Sequence, residues 1–258
     1  MPQRLLCLSA EAADICARLG AWDRVVGVSA FAIQEGLEPR PVISGFSTCD
    51  CERAMRLKPD LVITFSDVQA DIAGQFIRAG APVLATNQRT LAEIAETIRL
   101  IGGVIGRPAP AAELAETFLA EIEALTNHAE LRPRVYFEEW PDPPISGIGW
   151  VGEIIERAGG CDVFAERRGK EARERMVTYE KIVAAQPEII LASWCGKPVD
   201  WASIRKRPGF ADLSAVRDGN LHTLSSDLIL QPGPRVMEGA RRIREIISLW
   251  RQAQPLVV

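Results

Sequence analysis

The sequence lacks the features that mark membrane, nucleic-acid-binding and disordered proteins. No apolar run approaches the roughly 18 residues of a membrane-spanning helix, so we expect no membrane insertion. The 30 basic and 34 acidic residues leave a net charge of -4, and no basic field indicates a nucleic acid partner. The 258 residues are 47% hydrophobic, which excludes disorder, collagen and coiled coil. We expect one large globular domain or two lobes.

A signal peptide is also missing from the N-terminus. Arg4 leads directly into the apolar residues 5–8, and the acidic residues Glu11 and Asp14 follow at once. A secretory signal instead needs a basic start, an apolar stretch of about 7–15 residues and a small-residue cleavage site. The expected location is therefore cytoplasmic if the chain is complete as given, and periplasmic if a signal peptide was removed.

Motifs for catalysis and nucleotide binding are absent as well. The sequence contains no Gly-x-Ser-x-Gly, no His-Glu-x-x-His, no phosphate loop and no Gly-x-Gly-x-x-Gly after a strand. Its two histidines, His128 and His222, fall in separate predicted elements, which argues against a shared histidine site. We predict a protein without catalytic residues, catalytic cofactor or bound metal.

The sequence has six cysteines, and their chemical role stays open. Cys49-x-Cys51 offers two thiolates to a soft metal, but a second pair at zinc-like spacing is missing, and Cys195 stands alone. A cytosolic location would keep the cysteines as thiols. Whether Cys49, Cys51 and Cys195 are free thiols, metal ligands or disulfide-bonded stays open at this point.

What the sequence does contain is a regular alternation of short apolar strands and amphipathic helices. Helices are predicted near 11–19 and 91–104, where apolar residues recur at helical spacing. Strands are predicted at 5–8, 25–28, 61–64, 82–84, 135–137 and 189–192. Such alternation is typical of parallel sheets covered by helices.

The second half of the chain repeats the first. Glu52 is followed seven residues later by Pro59, an acid and three aliphatics, and Glu180 is followed in the same way by Pro187. Arg4-Leu-Leu and Arg134-Val-Tyr form a second match at an offset of 130, close to the 128 of the first. Two matches at nearly the same offset predict two similar α/β lobes with mainly parallel sheets. The residues between them, 110–125, carry one apolar face made by Leu114, Phe118, Ile122 and Leu125. We predict lobes at 1–108 and 132–258, one long rigid connecting helix within 109–131, and a ligand cleft between the lobes.

An acidic segment and several aromatic residues follow predicted strands, where α/β sheets bind ligands. Glu138, Glu139 and Asp142 lie around Trp140 after the predicted strand 135–137. They are interpreted as a cation site, a site for a cationic or hydroxylated ligand, an acid–base pair, or a solvated loop. The aromatic residues that follow strands are Phe31, Phe65, Trp140 and Trp194. They predict a cleft lined by flat apolar faces.

A polar segment near the C-terminus completes the candidate site. Ser225-Ser-Asp227 follows a predicted strand, and Gln231-Pro-Gly-Pro-Arg235 opens the last helix. Free backbone amides at that helix start, together with the charge of Arg235, suit an anionic group.

With these residues in view, the chain resembles the class III solute-binding proteins of ABC importers, and most closely their cobalamin-binding members. The resemblance covers nearly the whole chain. Its motifs are Val26-Gly-Val-Ser29, Leu57-Lys-Pro-Asp-Leu-Val-Ile63, Pro143-Pro-Ile-Ser-Gly147 and Ala158-Gly-Gly-Cys-Asp-Val-Phe164. The resemblance implies two α/β lobes joined by a long helix, a small-molecule ligand and an importer permease as partner.

The resemblance also implies roles for individual residues. Corrinoid contacts of the family match Phe31, Phe46 and Phe65, and an acid of the last loop matches Asp227. The family's Arg four residues later is Gln231 here. In the second lobe the family's Trp and Phe are replaced by Glu174 and Ile145, so Trp140, Trp150 and Trp194 are expected to form a different wall.

Two glutamates, one in each lobe, match the family's transporter-docking residues. They are Glu52 and Glu180, which also suit the first turn of a helix. The resulting hypothesis is a monomeric, non-enzymatic solute-binding protein for a corrinoid. The alternatives are a binder of a ferric siderophore, haem or another metal chelate, and an enzyme that uses Glu138, Glu139 and Asp142.

Overall fold

Each half of the chain forms one sheet of mainly parallel strands with helices between them. The computed structural model describes residues 1–169 and 171–254. The strands of the first half are β1 (Leu5–Cys7), β2 (Val25–Ser29), β3 (Val42–Ser44), β4 (Leu61–Phe65) and β5 (Val83–Thr86). Its helices are α1 (Ala10–Arg18), α2 (Cys51–Arg56), α3 (Ala70–Arg78), α4 (Leu91–Val104) and α5 (Pro108–Leu125). Every neighbouring pair of strands is parallel, in the order β3-β2-β1-β4-β5.

The second half builds a related sheet with one antiparallel pair. Its strands are β6 (Arg134–Pro141), β7 (Pro144–Ser146), β8 (Cys161–Asp162), β9 (Ile189–Ala192) and β10 (Leu221–Thr223). Its helices are α6 (Gly149–Arg157), α7 (Tyr179–Ala185), α8 (Trp201–Arg205), α9 (Ser214–Arg217), α10 (Ser226–Ile229) and α11 (Val236–Gln252). The order is β10-β9-β6-β7, in which only β6 and β7 run antiparallel, and β8 pairs with the start of β6. The predicted fold class of two mainly parallel α/β lobes is confirmed.

Local sequence signals explain where the helices begin. Thr90 accepts a hydrogen bond from the backbone N–H of Glu93, whose carboxylate accepts one from Thr90 in return, so a capping box starts α4 where it was predicted. Asp50 and Thr178 cap α2 and α7 in the simpler one-sided way. Each cap satisfies backbone N–H groups that the first helical turn leaves without partners.

The apolar strands are buried because helices cover both halves' sheets. β1 is fully buried, and Leu6 packs with Val62 of β4 and with Ile72 and Phe76 of α3. In the second half Tyr136 and Ile190 pack with Ile182 of α7 and with Phe210. Burial of these side chains stabilises each sheet by about 1.5–3 kcal/mol per large side chain.

Helix α5 connects two compact units. Unit 1 comprises Met1–Leu119 and Gln231–Pro234, and unit 2 comprises Ala120–Leu230 and the segment after Pro234. Of the four residues in the predicted apolar face of α5, Phe118, Ile122 and Leu125 are buried and Leu114 is half-buried. Ala111 and Ala115 are also buried, so the buried side of α5 begins one turn earlier than predicted.

Candidate functional site

In unit 1, aromatic residues lie at the carboxyl ends of parallel strands. Phe31 and Phe46 come two residues after β2 and β3, and Phe65 is the last residue of β4. The rings of Phe31 and Phe46 meet edge to face, with centroids 6.4 Å apart. Phe46 is 45% exposed, whereas Phe65 is only 6% exposed. Unit 1 therefore presents Phe31 and Phe46 as an aromatic surface and keeps Phe65 largely in its core.

Gln69 forms hydrogen bonds with the backbone of both Phe46 and Phe65. Its side-chain amide donates to the carbonyl oxygens of Leu8 at 2.9 Å and Phe46 at 3.0 Å. Its amide oxygen accepts from the backbone N–H of Phe65 at 2.9 Å. The guanidinium of Arg89 lies 5.3 Å from the centre of the Phe65 ring. Sequence reasoning missed Gln69 because nothing in its local pattern shows that it reaches three separate segments.

In unit 2, two tryptophans lie at the carboxyl ends of neighbouring strands. Trp140 belongs to the end of β6, and Trp194 comes two residues after β9. The Lys197 ammonium lies 3.9 Å from the centre of the Trp140 ring and 5.4 Å from that of Trp194. Both residues therefore occupy the predicted edge of the sheet. Trp150 does not join them, because it is buried and its indole donates to the carbonyl of Ile229 at 2.8 Å.

Glu138 and Glu139 are part of a strand and Asp142 lies in the turn after it, so the interpretation of the whole acidic segment as a solvated loop is wrong. β6 continues through Glu138 to Pro141, since β9 pairs with it on one side and β7 on the other. Glu138 is fully buried and forms a two-pronged ion pair with Arg207, at 2.5 and 3.0 Å. Tyr136 and Trp194 also donate to its carboxylate, each at 3.1 Å.

The neighbouring carboxylate is neutralised in the same way. Glu139 pairs with the buried Arg175 at 2.5 and 3.2 Å. Asp142 is exposed and takes no part in either pair. The three carboxylates therefore do not form the acid–base group or the cation site considered for them. Burial and the Glu138 charge instead raise the pKa of the Tyr136 hydroxyl, which stays protonated as a donor.

The C-terminal polar residues of unit 2 also neutralise one another. Arg235 lies 3.7 Å from Asp227 and 3.5 Å from Glu238, and the Ser225 hydroxyl donates to Asp227. Arg235, whose charge was expected to suit an anionic group, therefore has two carboxylates beside it. Gln231 belongs to the short segment that clusters with unit 1. Its role in ligand binding stays a prediction, as do those of Phe31, Phe46, Phe65, Glu139, Trp140, Trp194, Asp227 and Arg235.

The cysteines that were left open are free thiols. Burial, together with the neighbouring Cys51, raises the pKa of Cys49 to about 12. Burial and the Glu139 charge raise the pKa of Cys195. Within residues 1–169 and 171–254, no three His, Cys, Asp or Glu side chains come together as a candidate metal site.

Glu52 and Glu180 are exposed residues of the first turns of α2 and α7. The side chain of Glu52 is 89% exposed and pairs with Arg56 at 3.0 Å. The Thr178 hydroxyl and the backbone N–H of Glu180 lower the pKa of the Glu180 carboxyl. Both side chains are therefore accessible, and their docking role stays a prediction. In the described part of the chain, every helix is too short or too polar to span a bilayer.

Comparison with known proteins agrees with this architecture. The sequence profile described as "Periplasmic binding protein" matches residues 5–228. The chain belongs to this family. It is 25% identical over 258 residues to an uncharacterized ABC transporter substrate-binding lipoprotein, YvrC, of Bacillus subtilis, covering 95% of this chain and 80% of the relative. It is 26% identical over 251 residues to a vitamin B12-binding protein of Vibrio cholerae, with 93% and 87% covered.

A solved structure shows the same fold. The periplasmic haem-binding protein RhuT from Roseiflexus sp. RS-1 superposes with a TM-score of 0.83 at 24% identity, covering 98% of this chain and 100% of that protein. The family and its relatives make the protein a solute-binding protein of an ABC transporter rather than an enzyme. The predicted ligand cleft between the lobes stays a prediction.

Proposed function

We propose that the protein captures a corrinoid and delivers it to an ABC importer. The observation that carries this proposal is the set of aromatic side chains at the carboxyl ends of parallel strands in each unit. These are Phe31, Phe46 and Phe65 in unit 1, and Trp140 and Trp194 in unit 2, of which Phe65 and Trp194 are largely buried. Flat aromatic faces suit a large ring system, because each face gains dispersion energy and buried area. The vitamin B12-binding relative supports the same class of solute.

Haem is the second candidate, and the haem-binding structure with the same fold supports it. Haem iron in proteins is normally held by His, Cys, Met or Tyr. His128 follows α5, His222 lies inside β10, and the Tyr136 hydroxyl donates to Glu138. Cys195 lies beside Trp194, but its raised pKa favours the protonated thiol. A solute whose metal already has its own axial ligands, as the cobalt of cobalamin does, needs none of these side chains.

Isothermal titration with four probes tests the proposal. We expect cyanocobalamin or dicyanocobinamide to bind, and haemin and a ferric siderophore to bind far more weakly or not at all. Phe46→Ala should weaken corrinoid binding by about 1–3 kcal/mol, because the exposed ring faces the solute. Ile77→Ala, which removes an exposed apolar side chain of α3, is the matched control and should leave binding unchanged. Binding of haemin with a Soret shift, and of neither corrinoid, would replace the corrinoid by haem.

The place of action follows from the same proposal. An importer's binding protein meets its permease outside the cytoplasmic membrane, and one relative is described as a lipoprotein. We therefore infer a periplasmic or membrane-anchored location rather than a cytoplasmic one. Fractionation of the native protein from its own cells tests this, and recovery from the cytoplasm alone would contradict it.

A further inference from the structure

A cavity of about 350 Å³ in unit 2 lies at the carboxyl ends of β9 and β10. Trp194 and Lys197 line it on the side of β9, and Thr223, Ser225 and Ser226 line it on the side of β10. Because β9 and β10 are parallel neighbours, both loops leave the sheet at the same edge. Trp194, one of the proposed solute contacts, therefore shares this cavity with a cation and three hydroxyl groups.

The cation is positioned by a buried network. Glu138 is locked by its ion pair with Arg207 and accepts from the Trp194 indole at 3.1 Å, which fixes the plane of that ring. The Arg207 guanidinium lies 5.1 Å and 5.4 Å from the ring centres of Tyr179 and Phe210. The fixed ring of Trp194, together with Trp140, then attracts the Lys197 ammonium through its face.

The charge of Lys197 is not neutralised by an acid. Among residues 1–169 and 171–254, no Asp or Glu forms a salt bridge with Lys197. The acids close to the cavity are occupied, because Asp227 pairs with Arg235 and Glu139 pairs with Arg175. Ring faces attract an ammonium but accept no conventional hydrogen bond from it, so its N–H donors remain available for an anion.

Two hydroxyl groups of the cavity can also donate hydrogen bonds to an anion. The Thr223 hydroxyl accepts from the Trp201 indole at 3.0 Å, so its own O–H is available as a donor. Ser225 donates to Asp227 and is occupied, whereas Ser226 stands at the start of α10. Thr223 and Ser226 therefore supply donors on the side of the cavity opposite the β9 loop.

We propose that Lys197, Thr223 and Ser226 form a subsite for an anionic substituent of the solute, a phosphodiester or a carboxylate. The subsite rests on the proposed function, since it places this group beside the ring system that Trp194 contacts. Cobalamin carries a phosphodiester in its nucleotide loop. Haem carries carboxylates in its propionates.

Two corrinoids that differ in this group test the subsite. Cyanocobalamin carries the phosphodiester together with the ribose and base of its nucleotide loop, whereas dicyanocobinamide has the same ring without that loop. The Lys197 variant is therefore what isolates the anionic group. We expect the wild-type protein to bind cyanocobalamin about tenfold more tightly, and Lys197→Met to remove that preference. Lys206→Met changes an exposed lysine that does not line the cavity and should keep the preference. Raised salt should reduce the preference in the wild-type protein alone.

The possible outcomes distinguish failure of the subsite from failure of the proposed corrinoid function. Equal binding of both corrinoids by the wild-type and Lys197→Met proteins overturns the subsite and leaves the corrinoid proposal intact. If neither corrinoid binds, the corrinoid proposal fails, and phenyl phosphate is titrated while tryptophan fluorescence is followed. A saturable change in the wild-type protein that Lys197→Met loses would then support the subsite. The absence of a saturable change, or its persistence in Lys197→Met, would overturn it.

Discussion

Glu11 is a buried carboxyl group at the second position of α1, only 4% exposed. Its Oε1 atom has no hydrogen-bond partner, and the backbone of Gly233 covers its side chain. A Cβ atom on Gly233 would come within 2.7 Å of the Glu11 Cβ, so only glycine allows this approach. Burial raises the pKa of Glu11 to about 7, against the smaller lowering effects of Ser9 and the backbone, and Asp14 adds to the rise.

This raised pKa predicts a pH-dependent stability. The folded protein keeps the Glu11 proton up to about pH 7, whereas the unfolded chain loses it near the ordinary pKa of 4.5. The favourable contribution of the protonated Glu11 to the free energy of unfolding is therefore complete below pH 4.5. It declines as the pH rises and is lost above pH 7. Glu11→Gln should be more stable than the wild type at pH 8, by up to about 3 kcal/mol. Urea unfolding at pH 5 and pH 8 measures this. Glu116→Gln, an exposed change on α5, should show no such difference, and an equal response of both variants would contradict the prediction.

At the scale of elements, the Glu138–Arg207 pair joins strand β6 to the segment that follows α8. Both side chains are buried, and the carboxylate accepts from Arg207, Tyr136 and Trp194. A buried ion pair of this kind offsets its own desolvation only when both partners are present. The pair therefore makes the position of β6 depend on residues about seventy positions later in the chain.

A double-mutant cycle tests this dependence. Arg207→Met leaves the Glu138 carboxylate buried without its partner and should lower the free energy of unfolding by about 3–5 kcal/mol. Adding Glu138→Gln removes the uncompensated charge and keeps an acceptor for the Trp194 indole, so the double variant should recover most of the loss. Urea unfolding followed by circular dichroism gives both values. Additive losses in the two single variants would mean that the pair is not coupled.

At the scale of the whole molecule, Glu52 and Glu180 are exposed glutamates at the start of a helix, one in each unit. Glu52 begins α2 and Glu180 begins α7, and both helices lead through a proline into a central strand. Neither is held in a buried ion pair, in contrast to Glu138 and Glu139. Two such carboxylates fit the hypothesis that they meet basic residues of a permease.

The permease hypothesis predicts separate effects on docking and on solute binding. Changing both Glu52 and Glu180 to Ala should weaken association with the permease roughly tenfold or more, and raised salt should have part of the same effect on the wild type. Solute affinity, measured by titration, should stay unchanged. The matched control is the double change Glu113→Ala and Glu116→Ala, which removes two exposed acids from α5. Unchanged permease binding in the first variant, or weakened solute binding, would count against the hypothesis.

Local patterns determined much of the fold. Residues close together in the sequence are enough to predict several elements. These are the capping residues of α4, the buried aliphatic runs of β1, β4 and β9, and the apolar face of α5. The aromatic positions at the strand ends were also predictable, because parallel strands bring their carboxyl ends to one edge. Gln69 was not, since its three partners come from separate segments.

The sequence by itself determined the strands β1, β2, β4, β5, β6 and β9, the helices α1, α4 and α5, and the edge of each sheet at which a solute is expected. Only the tertiary structure decided which charges are available there. Glu138 and Glu139 could be interpreted as acids of a solvated loop, and the charge of Arg235 was expected to suit an anionic group. Each of the three has an opposite charge beside it. Arg207 and Arg175 lie 69 and 36 residues from their partners. Hydrophobic periodicity is a local property of the chain, whereas ion pairing depends on distances in space that only the folded chain establishes.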